Sequence, residues 1–188
     1  MDNTLIIGSI GQIAQSTGQA LAETFLSASA ILILDCSGSM SANDAPDGKS
    51  REQAAREQLI RLQATHKGKL ALVCFADYAI FAPTGLPVNC GSMTNMVAAL
   101  KYVQPADDTS TQFILISDGS PNDEKETLQV AKEFKTAIET IYIGPENDRE
   151  GGRTFLEKLA RTTGGKAMIS DAPGLLGNGI ERLLLQEG

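Results

Sequence analysis

The chain has 188 residues, which suits one α/β domain and is tight for two. Sixteen Lys and Arg against 23 Asp and Glu leave a net charge of −7, which excludes nonspecific nucleic-acid binding because that needs a positive field. Aliphatic side chains dominate the apolar fraction and supply a sizeable core, while no apolar stretch is long enough to span a membrane.

In chain order, residues 5–28 place Ile6, Ile10, Ile13, Ala14, Thr17, Leu21 and Phe25 near helical spacing, which predicts an amphipathic helix. It makes residues 1–29 a helical segment packing on a domain that fills 30–188. Ala30-Ile31-Leu32-Ile33-Leu34 is a short apolar run that reads as a strand ending at Asp35. Residues 49–64 follow as a helix, with Ser50 and Gln53 as a capping box and Ala55, Leu59 and Leu62 as its apolar stripe. Leu70–Phe75 is a second strand, and residues 78–82 come too soon for a helical crossover, so they pair antiparallel at an edge.

Further on, residues 94–103 read as a helix and Phe113–Ile116 as a buried strand running into Asp118. Ser120 is the expected N-cap of the next helix, with Pro121 at its first position, Asp123 and Glu124 in its first turn, and an end near Ala137. A strand at 140–143, a helix at 153–163 stopped by Gly164-Gly165, a strand at 166–169 and a helix at 174–186 complete the chain. Strands without polar interruptions are buried on both faces. The chain is therefore expected to form a doubly wound α/β fold: a mostly parallel sheet with one antiparallel edge strand and helices on both faces.

Ligands of such folds bind beyond the carboxyl ends of the strands. Asp35-Cys36-Ser37-Gly38-Ser39 follows the first strand, Ser117-Asp118-Gly119 follows the 113–117 strand, and Cys90-Gly91-Ser92-Met93-Thr94 opens a helix between them. These loops carry carboxylates and hydroxyls, with no histidine or thiolate placed as a ligand. Such hard oxygens suit Mg²⁺ or Mn²⁺ rather than zinc. Asp44, Asp47, Asp77, Asp107, Asp108 and Asp123 read as solvated loop acids, and His66 as a residue at a helix C-terminus.

The run Asp35-x-Ser37-x-Ser39, then Thr94, then Asp118 resembles the metal-ion-dependent adhesion site of von Willebrand factor A domains. The similarity covers roughly residues 30–186. It implies that Ser37, Ser39 and, in some states of the site, Thr94 contact the metal through their hydroxyls, while Asp35 and Asp118 act mainly through water or by orienting the hydroxyls. One departure is that Ser92-Met93 stands where the family has Gly or very small residues, which leaves Ser92 as the alternative to Thr94. The function implied is capture of an Asp or Glu of a partner protein, such as an ATPase or complex subunit, without catalysis.

Two other readings are weaker on the residues. A Mg²⁺-dependent phosphatase with a strand-end nucleophile at Asp35 would need a second Asp where Ser37 stands. A structural protein whose metal only braces the loops has the same ligands. No Walker-type loop occurs, and His66 has no serine partner in the pattern. Cys36, Cys74 and Cys90 make no even framework, and Met1-Asp2-Asn3 lacks a secretory basic region. The expected setting is cytoplasmic, away from membranes and nucleic acid.

Overall fold

The computed structural model describes residues 5–44, 48–145, 147, 151–170 and 176–184. Asp47 and the outer residues of the expected 174–186 helix lie outside them. Six strands form one sheet: β1 (Ala30–Asp35), β2 (Leu70–Phe75), β3 (Ala79–Phe81), β4 (Gln112–Ser117), β5 (Ile138–Tyr142) and β6 (Ala167–Ile169). Their order is β3-β2-β1-β4-β5-β6. All neighbours pair in parallel except β3, which runs antiparallel to β2 at one edge.

β1, β2, β4 and β5 are buried along their whole length, which is why the apolar runs of β1, β2 and β4 show no alternation. β5 also buries Glu139 and Thr140, the latter donating to Leu156 O at 3.1 Å. Successive side chains nevertheless feed opposite faces. Ile31, Ile33, Val73, Phe113 and Leu115 pack against α4 (Met96–Val103), α5 (Glu124–Ala131) and α6 (Gly152–Thr163). Leu32, Leu34, Leu72, Ile114 and Ile116 pack against α3 (Arg51–Thr65) and α7 (Leu176–Leu184). Ser50 and Gln53 form the expected capping box of α3, and Ala55, Leu59 and Leu62 are fully buried.

Two expected helices differ. Residues 5–28 make two short helices, α1 (Ile10–Thr17) and α2 (Leu21–Leu26). Gly18 ends α1 in the left-handed region at φ 73°, its N–H bonded to Ala14 O, so the apolar stripe continues across a break. Ile10 is buried in the core, Gly11 N–H donates to Pro83 O at 2.9 Å, and the Phe25 ring meets Phe81 edge-on at 4.8 Å.

The helix expected from Ser120 to Ala137 is shorter at both ends. Asp123 is its N-cap, accepting from Glu126 N–H at 2.8 Å, because Asn122 N–H is already donated to Thr94 O. At the far end, Asp107 accepts from Lys135 N–H (2.5 Å) and Thr136 N–H (3.0 Å), which draws the chain out of helical geometry. Among the described residues no helix is long and apolar enough to cross a membrane.

Candidate functional site

β1 has β2 on one side and β4 on the other, so the strand order reverses between β1 and β4. The loops leaving their carboxyl ends diverge to opposite faces and leave a crevice there. Asp35 is the last residue of β1 and Asp118 follows β4, which puts both carboxylates at this edge.

Asp35 is wholly buried, and both of its oxygens are engaged. Oδ1 accepts from Ser37 N–H at 2.8 Å and Oδ2 from the Ser117 hydroxyl at 2.6 Å. Burial pushes its pKa up to about 6. The hydrogen bonds from Ser117 and Ser37 act against that rise, and the charge of Asp118 adds to it. The first bond folds the chain back on itself, so Ser37 leads into a short 3₁₀ turn at Gly38–Ser41. That turn brings the Ser37 and Ser39 hydroxyls within 3.1 Å of each other, and Ser39 Oγ donates to Asp118 Oδ1 at 2.7 Å.

Thr94 reaches the same edge through its backbone. Its N–H donates to Asn122 Oδ1 at 3.1 Å, its carbonyl accepts from Asn122 N–H at 3.0 Å, and the neighbouring Ser92 carbonyl accepts from Gly38 N–H at 3.1 Å. Among the described residues the Thr94 hydroxyl has no hydrogen-bond partner. Thus the geometry joins Asp35, Ser37, Ser39 and Asp118 side chain to side chain or through the turn, and joins Thr94 only by the main chain. Thr94 lies just before α4, whose N-cap is Asn95.

Of the acids expected to be solvated, Asp44, Asp77, Asp108 and Asp123 are exposed but also have structural partners, and Asp107 is buried. Asp77 Oδ1 accepts from Ser92 N–H (3.0 Å) and Met93 N–H (2.8 Å), and these bonds, Met93's first, hold its carboxyl below the ordinary range. Gly91 is required beside it: its φ is 123°, and a Cβ there would lie 2.2 Å from Asp77 Cγ. Asp107 is buried at the end of α5, and Asp123 caps the start of that helix. Asp108 accepts from the backbone and hydroxyl of Ser110.

Asp44 pairs with Arg51, a residue that sequence reasoning missed. Arg51 is buried at the first position of α3. Its Nη1 donates to Asp118 Oδ2 at 2.5 Å, its Nε to Asp44 Oδ1 at 2.9 Å, and its Nη2 to Asp44 Oδ2. Burial opposes the guanidinium charge, but Asp44 and then Asp118 outweigh it and push the pKa above its ordinary value. The available signal was a cation in a helix's first turn, where the dipole disfavours it unless a specific anion is present.

Two carboxylates and a set of hydroxyls are what this edge offers a cation. Among the described residues no three His, Cys, Asp or Glu side chains gather as a metal site. The donors still fit a small hard ion. Oxygens on neighbouring corners of a Mg²⁺ octahedron lie about 2.9 Å apart, close to the Ser37–Ser39 and Ser39–Asp118 separations of 3.1 and 2.7 Å. With its proton on Asp118, Ser39 Oγ accepts from the Ser37 hydroxyl and keeps one lone pair for a cation. The thiols of Cys36, Cys74 and Cys90 are free, and the latter two are buried.

No family model matches the sequence, and no curated protein matches it. Solved structures do. The PilB minor pilin of Streptococcus sanguinis matches with a TM-score of 0.65 at 14% identity over 84% of this chain, which spans 60% of the pilin. A von Willebrand factor type A protein from Catenulispora acidiphila matches at 0.59 and 17%, over 82% of this chain and 41% of that one. The manganese-loaded TRAP protein of Plasmodium vivax matches at 0.53 and 17%, over 85% of this chain and 73% of its own. At these identities the likeness concerns architecture: the chain has the von Willebrand factor A-type α/β fold.

Proposed function

We propose that the chain is a non-catalytic, metal-dependent protein-interaction module that binds Mg²⁺ or Mn²⁺ at the edge between β1 and β4 and captures an acidic side chain of a partner protein. The observation that carries this reading is the hydrogen-bonded run of Ser37, Ser39 and Asp118 at the strand-order reversal. The manganese in the TRAP neighbour supports it by analogy.

Ser37 and Ser39 are the direct ligands in this account, with the Thr94 hydroxyl as a third and Ser92 as its alternative. Asp35 orients the turn through Ser37 N–H and is itself oriented by Ser117. Asp118 accepts the Ser39 hydroxyl proton, which leaves that oxygen to offer a lone pair to the ion. Bound there, the ion supplies a centre of positive charge that mostly neutral ligands leave unquenched, with a position for a carboxylate. Met93, 54% exposed beside this edge, is placed to contact whatever docks. The partner is an Asp- or Glu-bearing protein, of which an ATPase or complex subunit is one class, met in a reducing, cytoplasmic setting where the thiols stay free.

A pull-down in Mg²⁺ and in chelator, with a Ser37→Ala/Ser39→Ala chain as control, tests the reading. Partners retained in Mg²⁺ and lost in both other conditions support capture. Partners retained equally in all three mean that any metal only braces the loops.

A further inference from the structure

Arg51 occupies a costly place. It is a cation in the first turn of α3, against the helix dipole, with its guanidinium buried. What holds it is a pair of carboxylates of different character: Asp44, half-exposed, and Asp118, whose side chain is fully buried. Asp44 takes the fork with both oxygens, from Nε and Nη2, and leaves Nη1 for Asp118 Oδ2. With the Ser39 hydroxyl on Oδ1, both oxygens of Asp118 have protein donors.

This arrangement bears on how the site meets a cation. For Asp118 Oδ2 to become a direct ligand, it would have to turn from a buried charge-assisted bond and leave the guanidinium short of a partner. The same bond resists any turn of the carboxylate that would bring Oδ1 onto the ion. The hydroxyls of Ser37 and Ser39 can meet the ion through oxygen lone pairs while Ser39 keeps its bond to Asp118. Resting on the metal-dependent reading above, we propose that Arg51 is a positioning residue that holds Asp118 out of direct ligation, so that the ion is met by neutral hydroxyls and keeps its charge for a partner's carboxylate. Asp44 holds the guanidinium at the right angle, and it takes no part in binding the ion. The guanidinium lowers affinity for the ion in two ways: it repels a second cation nearby, and it holds one of the two oxygens of Asp118.

The test uses the full chain with Mn²⁺ alone, titrated by calorimetry, with metal-bound waters counted from water-proton relaxation. Arg51→Gln should bind Mn²⁺ roughly tenfold tighter than wild type and with fewer coordinated waters, because Asp118 then enters the coordination sphere. Asp44→Asn, which keeps the Arg51 charge and one acceptor for the guanidinium, should change Mn²⁺ affinity less than Arg51→Gln and leave the water count as in wild type. Arg51→Lys, which keeps the charge and loses the fork, should fall between. If Arg51→Gln is unfolded in chelator, circular dichroism should show it folding as Mn²⁺ is added.

Unchanged affinity and water count in Arg51→Gln would overturn the inference and make Arg51 a brace for the segment before α3. So would an Arg51→Gln chain that stays unfolded in saturating Mn²⁺ while Arg51→Lys behaves as wild type. Wild type and every variant failing to bind Mn²⁺ would instead remove the metal reading itself, and the inference with it.

Discussion

At the scale of single residues, the site holds charge where the fold would prefer none. Asp35 is buried with a carboxyl near 6 rather than its ordinary 3.8, so in the absence of metal its ionised form costs on the order of 3 kcal/mol. The sign follows from which state releases the proton first. Between about pH 4 and 6 the unfolded chain has lost it while the folded chain still holds it, so this group's contribution falls across that window and levels off above it. Asp35→Asn should remove the loss. The amide can keep the bond from Ser37 N–H, and Ser117 Oγ can turn its proton to Gly119 O, 3.3 Å away, and accept from the new NH₂. In chelator at pH 7.5 this variant should unfold at a higher temperature than wild type, with the difference growing from pH 4 to 6; a lower unfolding temperature would mean that Asp35 stabilises the empty site. Thr94 poses a separate question, because only its backbone is tied to the neighbouring loops. Thr94→Ala should weaken Mn²⁺ binding and Thr94→Ser should retain most of it, as calorimetry would read. Full binding by Thr94→Ala, with loss in Ser92→Ala, transfers the ligand role to Ser92.

Among the elements, those that position the site depend on contacts between distant parts of the chain, and there the sequence was least legible. The start of α5 differs from the expectation because the Asn122–Thr94 bonds, not Ser120 and Pro121, decide where the helix begins. Its end differs because Asp107 takes the N–H groups of Lys135 and Thr136. No local pattern reports either bond. The same holds for Arg51 and Asp118, which are 67 residues apart. The loop at 91–94 gives an element-level prediction. Gly91→Ala would force a Cβ onto the Asp77 carboxylate in a backbone conformation that L side chains avoid, and should cost about 2 kcal/mol or more. Thermal unfolding checks it, and an unchanged midpoint would show that the loop tolerates a shift. The N-terminal pair of helices gives another. Ile10 is buried in the main core, so Ile10→Ala should cost about 2–5 kcal/mol. A cost near zero in denaturant titration would mean that α1 is not integral to the domain.

For the molecule as a whole, much was legible because its core obeys simple rules. Apolar runs such as Ile31–Leu34 and Phe113–Ile116 carry no polar interruption, since helices cover both faces of the sheet. The edge strand was legible from the short link between β2 and β3. Asp35, Ser37, Ser39 and Asp118 were legible as a group because a doubly wound sheet brings the ends of β1 and β4 together. Fold alone does not make the site a metal site, so binding of the ion itself has to be measured. It is tested by calorimetric titration of Mg²⁺ and Mn²⁺ into the full chain, beside Ser37→Ala/Ser39→Ala. Wild type should bind either ion at one site per chain, and the double variant should lose that binding while its circular dichroism and thermal unfolding stay those of a folded domain. No heat with either ion, or undiminished binding without the two hydroxyls, would contradict it.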